Sequence, residues 1–206
     1  NMLLAQELRA RGWDAISVNV DPPNTRDNLF WHGCDLSLYD PDPEVMELKL
    51  QDFKREILTR FNMVFFYGLG RVSINPKYWL NDPTELLVPE DVLTFRQHGI
   101  KIGLALTGCF DMISKTGFSS WSGNACQYCH YDQKPGECSD ILNLARGTWA
   151  LTWCDVIDPE NLIPIELVNS SKVYKGPLTF VLDPERWNPN IQPPEEFRIP
   201  REEGEV

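Results

Sequence analysis

The stretch "VPEDVLTFRQHGIKIGLALTGCFD", residues 88–111, decides the fold class. Its first half predicts a short helix over 89–99. Pro89 stands near the first helical position, where a missing N–H is tolerated, and Gly99 lies just past the last, where left-handed backbone ends a helix. "IKIGLAL" (100–106) is apolar almost throughout, the pattern of a strand covered on both faces. "TGCFD" (107–111) then breaks the run with a hydroxyl, a glycine, a thiol and a carboxylate.

Working outward, the alternation of helix and strand repeats. Upstream, Met46, Leu50, Phe53, Ile57 and Phe61 form one apolar stripe on a helix over 44–62, and "MVFFYG" (63–68) follows as a second buried strand. Further upstream a helix over 2–11 closes at Gly12 and runs into the β-branched "DAISVNV" (14–20), with "DPPNTRDN" (21–28) as loop. Downstream, a helix over 138–149 precedes strands at "WCDVID" (153–158) and "LTFVLD" (178–183). This order predicts an α/β fold, with a Rossmann-like, mostly parallel sheet and helices on both faces. The chain opens inside a helical pattern, so the first strand is expected to be missing, leaving a central gap with unpaired backbone. The expected organisation is one domain over 1–183, carrying a cysteine-rich insert at about 112–138, and a Pro-rich linker over 184–206 towards a missing second domain.

The 206 residues suffice to bury a core. A net charge of −11 argues against nucleic acid as a partner, which needs a basic face to displace counterions. No run of eighteen apolar residues occurs, so no transmembrane segment is expected. Six cysteines are too few for a disulfide scaffold, and a cytoplasmic protein with a local metal or thiol site is the expectation.

In parallel sheets ligands bind beyond the carboxyl ends of the strands. Three loops qualify: "YGLGR" (67–71), "TGCFD" (107–111) and "DPE" (158–160). Gly68 and Gly70 let backbone approach a ligand, although the third glycine of a dinucleotide fingerprint is absent; a plain turn explains them equally well. Thr107, Gly108 and Asp111 could bind a polar ligand, the simpler alternative being a turn with Asp111 as a cap. With Arg71, these make the candidate substrate-binding set.

Cys126, Cys129 and Cys138 have the spacing C-x2-C-x8-C. Three thiolates and a fourth ligand could hold a structural zinc, with Cys109 preferred over His130 and Cys154 as the fourth. A Cys126–Cys129 or Cys129–Cys138 disulfide is the competing reading. A redox pair fits less well, because the CxxC lies in a loop rather than opening a helix after a strand. Either staple would offset the ordering entropy of an insert with few apolar residues.

At these residues the chain resembles a known family. "LLAQELRARGWDA" looks like the opening of a two-Rossmann (GT-B) glycosyltransferase, family-4-like, just after its first glycine loop. "VPEDVLTFRQHGIKIGLALTGCFD" is similar to a helix, strand and "hGxD" passage of that N-terminal half, with Gly108 and Asp111 on the motif, Cys109 and Phe110 intervening, and Thr107 where the family has His. "YGLGR" resembles the family's "HFGR" loop, and "CQYC…CSDILNLARG" resembles a cysteine-rich insert that some relatives carry. The resemblance implies the acceptor-side half of an enzyme moving a sugar from a nucleotide-sugar donor to an unknown acceptor, with no catalytic cofactor. The donor would be bound mainly by a second Rossmann domain. No catalytic base carries over, and this half alone is expected to be inactive. The rivals are a zinc-stapled, non-catalytic α/β binding module and a Rossmann-like enzyme with a redox CxxC.

Overall fold

The computed structural model describes residues 2–22, 33–78, 88–107, 114–121, 125–129, 138–159 and 170–174. In chain order they form α1 (Met2–Ala10), β1 (Val18–Asn19), β2 (Leu36–Ser37), α2 (Pro43–Arg60), β3 (Met63–Tyr67), α3 (Glu90–Gln97), β4 (Lys101–Ala105), α4 (Lys115–Trp121), α5 (Asp140–Trp153) and β5 (Val156–Asp158). Every pairing between these strands is parallel, in two sheets of order β2–β1 and β3–β4–β5. The fold is α/β and Rossmann-like. The expected strand at 178–183 and the Pro-rich tail lie outside the described residues.

Local chemistry accounts for the helix ends. Asp42 caps α2 by accepting from the Glu44 amide at 2.9 Å, with Pro43 in the first turn, and the helix buries Leu50, Phe53 and Ile57. Pro89 occupies the N-cap position of α3 without a side-chain hydrogen bond, so the helix begins at Glu90, one residue later than the sequence suggested, and Gly99 leaves the helix at φ +77°. Ser139 caps α5, which continues to Trp153, four residues past the expected end. Trp149 and Ala150 are buried there, and the Cys154 amide still donates to Ala150 at 2.8 Å. The following strand consequently starts at Val156 rather than 153.

Right-handed crossovers between parallel strands group α3 and α5 on one face of the β3–β4–β5 sheet, and α2 packs with them. Contacts join the group: Lys54 lies 3.8 Å from Glu90, and Arg96 donates to the Trp153 carbonyl at 2.8 Å. β4 is the central strand, with Ile102, Leu104 and Ala105 all fully buried. Gly103 is required there for space: a Cβ on it would run into the Phe65 ring and lie 2.6 Å from the Met63 methyl group.

β3 is less covered than its apolar sequence suggested. Phe66 is buried, but Met63 is 38% exposed. The cause is an open cavity of about 940 Å³ beside β3, lined from the other side by residues 13–21. Among the described residues β1 and β3 are not paired with each other, and the cavity lies between them. β1 is also shorter than the predicted 14–20, because β2, its only partner among the described residues, pairs over two positions.

Candidate functional site

The carboxyl ends of β1, β3 and β4 are tied together at one edge. Gly68 follows β3 at φ +81°, a left-handed conformation that favours glycine. Its amide donates to the Ala105 carbonyl at 2.9 Å, joining the loop after β3 to the end of β4. Leu69, Gly70 and Arg71 then form one 3-10 turn, with the Arg71 amide donating to Gly68 at 3.1 Å. That turn projects Arg71 towards β1, where its guanidinium donates to Asp21 Oδ2 at 2.7 Å. Thr107 leaves β4 exposed and lines the same cavity as Gly68 and Arg71. Gly68, Gly70, Arg71 and Thr107 are thus brought to one edge; Gly108 and Asp111 lie outside the described residues.

Sequence reasoning missed the residue that fixes this loop. Asp91, in the first turn of α3, is 3% exposed. Its Oδ2 accepts from the Ser73 hydroxyl and the Ile74 amide, each at 2.7 Å, and its Oδ1 accepts from the Val92 amide at 2.8 Å. The loop after β3 is thereby bolted to the start of α3. The available signal was an acidic residue in a helix's first turn, a placement the helix dipole favours. Asp21 was also missed, because "DPPNTRDN" reads as loop and its partner lies fifty residues away. At the end of β5, buried Asp158 accepts from the Leu106 amide through its carbonyl at 2.9 Å, closing the same edge.

The edge presents a guanidinium, a carboxylate, a hydroxyl and backbone in a left-handed turn. Such groups hydrogen-bond a polyhydroxylated ligand, and the adjoining apolar cavity can take an unpolar face. Arg71 stays about 41% exposed in its pair with Asp21.

Neither of the two expected disulfides is present. The five described cysteines, Cys34, Cys126, Cys129, Cys138 and Cys154, are free thiols. Among the described residues no three His, Cys, Asp or Glu side chains are grouped to hold a metal ion; Cys109 and His130 lie outside that set. Cys126 sits on a 3-10 turn and its carbonyl accepts from the Cys129 amide at 3.0 Å, while Cys138 lies 3.6 Å from the Asn143 amide group. Cys154 is fully buried, and desolvation pushes its thiol up to about 12, so it stays protonated near neutrality. What anchors α4 is a carboxylate: Asp140 accepts from the Thr116 amide at 2.9 Å and hydroxyl at 2.6 Å. No helix among the described residues is long and apolar enough to cross a membrane.

The chain matches no family model, no curated protein and no solved structure.

Proposed function

We propose that this sheet edge is the acceptor side of a sugar-transferring enzyme. The observation that supports the reading best is the Arg71–Asp21 bridge, which draws the loops after β1 and β3 together, with Thr107 lining the same cavity. An Arg–Asp pair offers donors and acceptors side by side, which suits a vicinal diol. The net charge of −11 disfavours a diphosphate on this surface, so the nucleotide-sugar donor would be gripped by another, more basic one. In the reaction an acceptor hydroxyl attacks the anomeric carbon, the nucleoside diphosphate leaves with the bonding pair, and the hydroxyl proton passes to a base that no residue here identifies. A zinc held by Cys126, Cys129, Cys138 and Cys109 would serve only to staple the insert; the described thiols do not group for it.

The test is a titration of the isotope-labelled chain with mono- and disaccharides and, separately, with nucleoside diphosphates, following the amides of Gly68, Gly70, Arg71 and Thr107. Sugar-dependent shifts at these amides, weakened by Arg71→Ala, are expected. No response to any sugar, or a response to nucleoside diphosphate alone, would overturn the acceptor assignment. The 206-residue chain is further expected to transfer no sugar by itself; turnover would mean that it also holds the donor site.

A further inference from the structure

α5 has two unlike faces. Asn143, Gly147 and Ala150 are buried on one side. On the opposite side Ile141, Leu144, Thr148 and Thr152 follow at steps of three, four and four, which keeps them on a single stripe about 16 Å long. Ile141 is 81% exposed and Leu144 42%, and both threonines are exposed. The threonine hydroxyls bond back onto the helix. Thr148 Oγ1 donates to the Leu144 carbonyl at 3.0 Å, and Thr152 Oγ1 to the Thr148 carbonyl at 2.8 Å. With those protons committed, the stripe offers a partner isoleucine, leucine and two threonine methyl groups. The charged residues of α5 lie off it: Asp140 is bonded to Thr116, and Arg146 donates to Asn143 Oδ1 at 3.0 Å.

A helix face that meets only water has a different composition. On α2, Leu48 is 60% exposed, but Glu44, Gln51, Asp52 and Arg55 share its face and are exposed with it. Isoleucine and threonine are also weaker helix formers than the Glu, Lys or Gln that a solvated position would carry without loss of packing. Charge selects the occupant. A basic partner finds no carboxylate on the stripe and is drawn instead to faces such as that of α2. A helix lying on a lipid surface carries Lys and Arg beside its apolar face, whereas the one arginine of α5 is turned to Asn143. Two copies of a chain with net charge −11 repel each other, but stripe against stripe they bring no carboxylates together. One face meeting its own copy across a two-fold axis is also the commonest form of self-association.

We infer that α5 packs against α5 of a second copy, with the stripes from Ile141 to Thr152 meeting across a two-fold axis. This stands independently of the sugar-binding reading. A stripe this narrow covers less than the roughly 800 Å² per partner of a stable complex, so the dimer is weak and forms at high protein concentration. Sedimentation of the 206-residue chain from about 10 μM to about 1 mM tests it. The expected monomer–dimer equilibrium strengthens as sodium chloride rises from about 0.05 M to about 0.5 M, because salt screens the repulsion between acidic copies and leaves the apolar contact. Amides along residues 141–152 should shift with concentration. Thr148→Glu and Thr148→Lys change an exposed residue in mid-stripe, so both should fold. Each should weaken association at least about ten-fold by setting like charges together, and the two mixed in equal amounts should associate again. Should a variant fail to fold, the salt dependence and amide shifts of the parent chain still decide. Four results would overturn the inference: a monomer at every concentration and salt, association that weakens with salt, shifts confined to other residues, or dimers that both charged variants leave intact.

Discussion

Arg71 and Asp21 are fifty positions apart in the chain, yet they meet at 2.7 Å, closing the carboxyl end of the cavity between β1 and β3. The pair is half exposed, with 41% of the arginine and 16% of the aspartate side chain accessible. Its worth is therefore positional. Asp21→Asn should lower stability by under about 1 kcal/mol in a denaturant titration. The same substitution should raise amide exchange across residues 69–73, and unchanged exchange there would deny the bridge a positioning role.

Asp91 carries more. It accepts two hydrogen bonds from Ser73 and Ile74 and one from Val92 while nearly fully buried. Asp91→Ala would leave the Ile74 and Val92 amides without this acceptor and strip the Ser73 hydroxyl of one partner, at about 2–4 kcal/mol in all. Asp91→Asn, which keeps one acceptor oxygen, should lose less. Equal losses in the two variants, measured by thermal and denaturant unfolding, would mean that the carboxylate as a whole, and not the single acceptor oxygen that asparagine keeps, sets the effect.

Gly103 should tolerate no side chain. Gly103→Ala presses a methyl group into Phe65 and Met63, and a destabilisation of about 1–3 kcal/mol is expected. Phe65→Ala should relieve it, so the double variant should be more stable than the two single losses added together. Simple additivity would place the strain elsewhere.

Acid sensitivity should be traceable to two carboxylates. The bidentate Arg9 guanidinium, at 2.8 and 3.1 Å, holds Asp35 below the usual carboxylate range, with help from the Ser17 amide. Burial alone would raise Asp155, but the Ile102 amide, Lys101 and Arg96 together bring it below its ordinary value. A group depressed on folding stabilises above its unfolded value, about 3.9, and loses that contribution as pH falls through the folded value. Unfolding titrations should show stability flat near neutrality and falling below about pH 4. Asp35→Asn and Asp155→Asn should each flatten that fall, and parallel curves would show that other groups drive it.

Thiol labelling should separate the cysteines. With an aromatic disulfide reagent at mildly alkaline pH, Cys126, Cys129 and Cys138, all partly accessible, should react in the native state. Cys154, buried and held protonated, should react only on unfolding. Protection of the first three that a chelator abolishes would instead reveal a metal that gathers them.

Much of the framework was legible in the sequence. The four-three-four spacing on α2, the proline and glycine bracketing α3, and the apolar runs at 63–68 and 100–106 each encode a local preference that burial rewards wherever the chain packs. Helix–strand alternation then fixes the fold class, because parallel strands need crossovers. That Gly68 and Thr107 would share an edge followed from the same rule.

What the sequence could not specify depends on separations that exist only in three dimensions. The end of α5 at Trp153 rather than 149 reflects burial of Trp149 and Ala150 against the sheet. α4, with the weak helix formers Gly117, Ser119 and Ser120, persists because Asp140, over twenty residues away, holds Thr116. Asp91, Asp21 and Asp14 are ordinary acids in the sequence. The tertiary structure made one a bolt and paired the other two with arginines of distant segments, because an ion pair forms only where the folded backbone sets two side chains within reach.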